Sequence, residues 1–225
     1  KIIVDKYDNY DGFAQEIAKL EGRDDLKQIV LHLGNGASVS AVKNGKPIDT
    51  SMGLTPLEGL MMGTRTGDID PAVVFHLQRV AGMSVDEVDT LFNKKSGMKG
   101  MTGESDMRSV WDMIHNDEDP EAQQRARVAM DVYINRLLKY VGSYTAELGG
   151  LDVITFTAGI GENDAAVRRE LAEALAPFGV KIDVEANNVR SGEPRVISAP
   201  DSTVTIYVFP TNEELAIARQ ALTFA

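Results

Sequence analysis

The run Leu151-Asp152-Val153-Ile154-Thr155-Phe156-Thr157-Ala158-Gly159-Ile160-Gly161-Glu162-Asn163 decides the fold class. Its first seven residues are apolar and β-branched and read as a strand, the glycines break that strand, and 165–175 carries helical spacing. The grammar of strand, glycine-rich turn and helix recurs outward in both directions. Upstream, 28–33 is a short apolar run closed by Gly34-Asn35-Gly36, 37–42 alternates, Asn44-Gly45 is a strong hairpin signal, and 46–50 returns as a third strand. Downstream, 203–209 is a strand stopped by Pro210, and Thr211 with Glu214 forms a capping-box pattern opening a helix over 213–222. Further helices are expected over 13–20, with Phe13, Ile17 and Leu20 on one face and Gly22 as the stop, and over 71–80, where Asp70 precedes Pro71. Ser84 and Glu87 open another short helix. The longest, 120–148, carries Val128, Val132, Leu137, Val141 and Tyr144 and is expected as the core helix. Strands mixed with helices, and three strand ends bearing Gly or Asn, indicate an α/β domain that meets its ligand at strand ends.

Composition narrows the classes of function. The chain has 225 residues, 34 acidic against 23 basic, a net charge of −11, 43% hydrophobic residues and no cysteine. This is a globular composition with enough chain to bury a substantial core. Without cysteine there is no disulfide or thiolate metal site, which suits a reducing compartment. The acidic balance makes nucleic acid and anionic membranes poor partners but leaves room for a local basic pocket that takes a small phosphate. No apolar run approaches the roughly 20 residues that span a bilayer, and residues 1–10 lack the order of a signal peptide, so a soluble, cytoplasmic protein is expected. The sequence begins at Lys1 without an initiator Met, which points to a processed product or a piece of a longer chain.

Several segments could carry chemistry. His32-Leu33-Gly34-Asn35-Gly36 lies between two strands, where paired glycines let backbone N–H groups form a phosphate nest. A plain tight turn would use the same residues. His32 by itself reads as a hydrogen-bonded, partly buried imidazole. In Met62-Gly63-Thr64-Arg65-Thr66-Gly67-Asp68-Ile69-Asp70-Pro71, a lone arginine on a glycine-flanked loop can clamp phosphoryl oxygens, or can form a local salt bridge to Asp68 while Asp70 caps the next helix. Gly159 to Asn163 resembles a dinucleotide turn without meeting its full pattern, and Asn163 could be the cap of the next helix. Glu213 is a carboxylate at a strand end, suited to Mg²⁺ or simply solvated in a first turn. Asp106-Met107-Arg108 opens a helix, with Asp106 as its cap, and Trp111 and the methionines read as packing residues. Histidines at 32, 76 and 115 and no cysteine argue against a transition-metal site. Glycine turns, a placed arginine and a Mg²⁺-type carboxylate suit phosphoryl transfer.

Taken together, five ordered motifs from Gln28 to about Leu222 resemble the C-terminal domain of acetate kinases. They are 32–36, Asp-Thr-Ser-Met-Gly-Leu-Thr-Pro-Leu-Glu-Gly at 49–59, 62–71, 159–163 and Pro-Thr-Asn-Glu-Glu-Leu at 210–215. Asn35 between its glycines is similar to the acetate or propionate branch. The resemblance implies an actin-like ATPase (ribonuclease H-like) domain with a mixed sheet flanked by helices. It also implies reversible transfer of the ATP γ-phosphoryl group to acetate, giving acetyl phosphate and ADP. By the same resemblance, His32, Leu33, Gly34, Asn35 and Gly36 contact the ATP phosphates, while Asp106, Met107, Arg108, Gly159, Ile160, Gly161, Glu162 and Asn163 hold the nucleoside. Glu213 binds Mg²⁺ (or Mn²⁺), Arg65 stabilises charge on the phosphoryl group in flight, Pro56 lines the acyl pocket, and two copies pair through this domain.

Departures from the family limit what carries over. Members are nearly twice this length and place the site between two domains. A Mg²⁺-assisting Asn, a carboxylate-gripping Arg and a catalytic Asp belong to the other domain, and the His that would fall at Val4 is missing. Residues 1–13 therefore stand apart, and 14–225 is expected to be the nucleotide-binding domain, binding Mg·ATP alone with little turnover. A nucleotide-binding or dimerisation module without catalysis, and a propionate kinase, are the competing readings.

Overall fold

The computed structural model describes residues 11–211, with side chains from Phe13 onward. The strands are β1 Lys27–Leu33, β2 Ala37–Lys43, β3 Lys46–Thr50, β4 Val153–Thr157, β5 Arg195–Val196 and β6 Thr205–Val208. They form one mixed sheet in the order β3-β2-β1-β4-β6-β5. β1, β4 and β6 run parallel, with His32 level with Thr157 and Phe156 level with Val208. β2 and β3 fold back antiparallel through Asn44 (φ 54°) and Gly45 (φ 70°), the two left-handed residues that a tight hairpin turn requires. The short β5, for which the sequence carries no signal, pairs antiparallel with the edge of β6.

The helices among the described residues are α1 Asp11–Glu21, α2 Ala72–Val80, α3 Val85–Lys94, α4 Gly97–Thr102, α5 Met107–Asn116, α6 Pro120–Leu148, α7 Ala158–Asn163, α8 Ala165–Ala174 and α9 Val184–Asn188. Alternation along the strands divides the core. Ile29, Leu31 and Leu33 of β1, Ile154 and Phe156 of β4, and Ile206 and Val208 of β6 pack with α5, α6 and α8. The intervening residues Val30, Val42, Val153 and Tyr207 pack with Ala14, Ile17 and Ala18, so α1 covers the other face. Burial on both faces explains why β1 reads as a continuous apolar run.

Three sequence expectations change. On α1 the inward residues are Ala14, Ile17 and Ala18, and Leu20 is exposed. α6 has the expected span but turns Ala122, Ala126, Ala129, Met130, Tyr133 and Ile134 inward together with Leu137, Val141 and Tyr144, leaving Val128 and Val132 exposed. Burial here does not follow side-chain size, since alanines take inward positions and the larger valines outward ones. Finally, residues 158–163 are helical rather than a turn, because Ala158 takes the left-handed bend itself (φ 64°) and the chain coils immediately after it. The capping box of Thr211 with Glu214, the helix over 213–222 and Glu213 lie outside the described residues.

Candidate active site

β1 and β4 end side by side, and the chain leaves them in different ways: from β1 into the turn 34–36, from β4 into α7. An open cleft of about 850 Å³ lies beyond these strand ends, the place where open α/β sheets receive ligands. Gly34 and Asn35 form one edge, Asp106, Met107 and Arg108 at the start of α5 a second, and Gly159, Ile160 and Asn163 of α7 a third. Three separated sequence motifs therefore share one cavity.

The turn is tight, with Gly34 N–H donating to Gly36 O at 3.1 Å. A Cβ at Gly36 would lie 3.2 Å from Arg65 Nη1, so the bare glycine leaves room for the guanidinium beside the turn. Arg65 is half-buried and donates from Nη1 to Pro56 O at 3.3 Å. The structure thus brings Gly36, Pro56 and Arg65 together next to the cleft.

The Arg65 loop is held on every side. Met98 and Lys99, in the first turn of α4, donate backbone N–H to Met62 O and Gly63 O, both at 2.9 Å. Gly63 N–H donates to Asn35 O at 3.1 Å, and Ser96 N–H to Thr64 O at 3.0 Å. Gly67 has φ 66°, and a Cβ there would collide with the carbonyls of Gly59 and Leu60. That bend turns Asp68 away from Arg65 and toward α6, so the local Arg65–Asp68 salt bridge does not form. Asp68 instead accepts from Tyr140 Oη at 2.8 Å, Arg136 Nη1 at 3.3 Å and Gly59 N–H at 2.8 Å. Asp70 does serve as a cap, accepting Ala72 N–H at 2.9 Å.

Other expected site residues stand at the margins. His32 is half-buried at the end of β1 and has an interaction partner within the protein. Leu33 is fully buried in the core, so its backbone alone can face a ligand. Gly161 is buried and does not line the cleft, its carbonyl accepting Arg168 Nη1 at 2.9 Å. Glu162 is engaged by Thr211, whose N–H and hydroxyl donate to Oε1 at 2.8 and 2.7 Å. Asp106 caps α5 and binds Arg108 through two oxygens, at 3.0 Å (Nε) and 2.6 Å (Nη2). The Arg108 guanidinium holds the Asp106 carboxyl down at about 2, so the pair is charged but internally balanced at neutral pH. Asn163 does not cap α8, because its side chain turns back to Gly159 O at 2.9 Å and Asp164 takes the cap.

Among the described residues no three His, Asp or Glu side chains gather as a metal site. The carboxylate expected to hold Mg²⁺, Glu213, lies outside the described residues.

A family model described as the Acetokinase family matches residues 9–219. The chain belongs to the Acetokinase family. The acetate kinase of Corynebacterium aurimucosum is 54% identical over 210 residues, covering 92% of this chain and 50% of that protein. That of Streptomyces avermitilis is 56% identical over 205 residues, covering 90% and 49%. Among solved structures, Porphyromonas gingivalis acetate kinase superposes with a TM-score of 0.86 at 42% identity, covering 94% of this chain and 52% of that one. A propionate kinase from Francisella tularensis superposes with a TM-score of 0.83 at 41% identity, covering 93% and 52%. The chain spans about half the length of the curated relatives it matches, and its mixed sheet flanked by helices is the actin-like ATPase fold of these kinases.

Within this family member, two cleft residues, Trp111 and Arg190, had no sequence signal for the site. Trp111 does more than pack: it lines the cleft, donates Nε1–H to Asp164 Oδ2 at 2.7 Å and has Arg127 over its ring at 5.7 Å. Arg190 also lines the cleft, contributed by a segment far from every motif. Asp164 was in plain view as the residue after the Gly159–Asn163 motif, and its place before Ala165 was a cap signal as good as that of Asn163.

Proposed function

We propose that residues 14–225 are the nucleotide-binding C-terminal domain of a two-domain acetate kinase. The reaction is reversible transfer of the ATP γ-phosphoryl group to acetate. An acetate oxygen attacks the γ-phosphorus, the bond from that phosphorus to the β–γ bridging oxygen breaks, and ADP leaves with the electron pair. The observation that supports this best is the meeting of the Gly34–Gly36 turn, α5 and α7 around one cleft, with Arg65 braced beside it. In this reading the backbone of the turn receives the phosphates, α7 and the start of α5 take the nucleoside, and Arg65 faces charge developing on the transferred group. The bracing of Arg65 means little reorganisation is needed as that charge develops. Pro56, whose carbonyl Arg65 touches, then belongs to the wall of the small acyl pocket. Mg²⁺, or Mn²⁺ in its place, would accompany the nucleotide with Glu213 as ligand, and it supplies charge neutralisation to the phosphates.

The chain alone should bind Mg·ATP, read by calorimetry, and yield little acetyl phosphate in a hydroxamate assay. Turnover like that of a complete kinase would sink the half-site reading. In the full two-domain protein, Arg65→Ala should lower kcat by roughly 10²-fold or more while ATP binding changes little. An unchanged rate would favour a nucleotide-binding or dimerisation module without catalysis. The similarity to a propionate kinase keeps that substrate as a second reading. One methylene in an apolar pocket separates short acids by only about 1–3 kcal/mol, so the ratio of kcat/KM for acetate and propionate decides between them. Pairing of two copies through this domain is testable by sedimentation, and a cytoplasmic location by fractionation. Among the described residues, no helix is long and apolar enough to cross a membrane.

A further inference from the structure

The cleft is lined by four ionisable side chains with distinct commitments: Asp106, Arg108, Asp164 and Arg190. Asp106 and Arg108 are bound to each other. Asp164 is spent on Ala166 N–H at 3.1 Å, Val167 N–H at 3.0 Å and the Trp111 indole. Arg190 is exposed, and among the described residues it makes no hydrogen bond or ion pair. An uncommitted guanidinium in a cleft of a chain with net charge −11 is available to a ligand.

The backbone that delivers Arg190 is fastened from below. Arg168 is 1% exposed, and it donates Nε–H to Asn187 Oδ1 at 2.7 Å, Nη2–H to Asn187 O at 2.7 Å and Nη1–H to Gly161 O at 2.9 Å. Asn187 Nδ2–H in turn donates to Ala165 O at 2.9 Å. Among the described residues no carboxylate pairs with Arg168, and its burial pushes the guanidinium down to about 10, still protonated at neutral pH. A buried cation satisfied by carbonyls is costly. Its geometric result is that α7, the start of α8 and the end of α9, where Asn187 lies three residues before Arg190, form one unit.

The position of Arg190 along the cleft says which part of a nucleotide it meets. Gly36 lies against Arg65 and Gly34 against Ala158, so the phosphate turn sits at the start of α7. The six residues of α7 rise about 9 Å at ~1.5 Å per residue before Ala165, where Asn187 is attached. We infer that Arg190 is a further nucleoside-contacting residue, meeting the base or ribose at the α8 end of the cleft, with Arg168 and Asn187 as its positioning residues; this rests on the nucleotide reading above. A planar guanidinium can lie on a purine face and donate to ring nitrogens or hydroxyls.

Calorimetry on this chain with two probes, Mg·ATP and inorganic tripolyphosphate, tests the assignment. Arg190→Ala should weaken ATP binding roughly tenfold and leave tripolyphosphate binding and the melting temperature unchanged. Asn187→Ala should show the same split between the probes at a lower melting temperature. Unchanged ATP binding in Arg190→Ala would overturn the contact, and equal loss for both probes would reassign Arg190 to the phosphates. Failure of the unsubstituted chain to bind ATP would instead sink the function reading itself, and this inference with it.

Discussion

α2 and α6 begin with the same two residues and end in opposite environments. Asp70-Pro71 precedes α2 and Asp119-Pro120 opens α6, and in both the aspartate accepts a backbone N–H of the first turn at 2.9 Å. Yet α6 buries residues along its whole length, from Ala122 to Leu148, whereas α2 buries none. Phe75 is 53% exposed and Val80 72% exposed on α2. A cap and a proline fix where a helix starts because they act on its own first N–H groups. Burial depends on what the rest of the chain places opposite, and α6 has the sheet opposite it. The two helices are joined by Asp68, two residues before Asp70, which Arg136 and Tyr140 of α6 grip.

The comparison makes ranked predictions. Leu137→Ala on α6 removes a fully buried side chain from the main core, and we expect a loss of about 2–5 kcal/mol in denaturant unfolding. A loss under about 1 kcal/mol would mean the helix can settle onto the sheet and is less tightly packed than its burial implies. Asp68→Ala should cost about 1.5–3 kcal/mol, the range for hydrogen bonds to a charged group, because it strands Arg136 and Tyr140 half-buried. It should also loosen the Arg65 loop, seen as faster amide exchange at Met62 and at position 68, whose N–H groups donate to Arg65 O and Gly59 O within that loop. Normal exchange with lowered stability would separate the anchor from the loop. Asp70→Ala and Asp119→Ala, measured in parallel, should each cost about 1 kcal/mol. Equal costs would show that the cap is worth the same beside a buried helix and an exposed one.

What was legible in the sequence is what local geometry dictates. Asn44-Gly45 marked the hairpin because both residues must adopt positive φ, and they do. The span 120–148 was legible from helical spacing, and it is the span of α6, which Asp119 caps and Gly149 (φ 72°) ends. The inward face of α6 was not legible: Val128 and Val132 are larger apolar residues than Ala126 and Ala129, yet the alanines are buried and the valines exposed, a choice set by what the rest of the chain packs against each face. Nor was the helical course of 158–163, since glycines at 159 and 161 disfavour a helix that Ala158 nonetheless starts. At the site, motifs at strand ends pointed to the Gly34–Gly36 and Gly159–Asn163 edges, whereas Asp106–Arg108 read locally only as a helix opening and entered through the family resemblance. Arg190 reaches the same cleft through bonds that span from Arg168 to Asn187, a separation no local pattern records.

The smallest effect tests the other half of the comparison. Phe75→Ser with Val80→Ser changes two apolar side chains on α2 that already face solvent, one of them lying against Arg79 with the guanidinium 5.8 Å from the ring. Since burial on folding is what apolar side chains contribute to stability, side chains left exposed in the folded chain contribute little. The double variant should therefore unfold within about 0.5 kcal/mol of the parent chain. Serine is a weaker helix former than leucine or alanine but close to phenylalanine and valine, so propensity does not disturb the reading. A loss above about 1.5 kcal/mol, approaching that of burying a large side chain, would mean that α2 packs in solution much as α6 does. The contrast between the two helices would then dissolve, and with it the conclusion that identical start signals carry no information about burial.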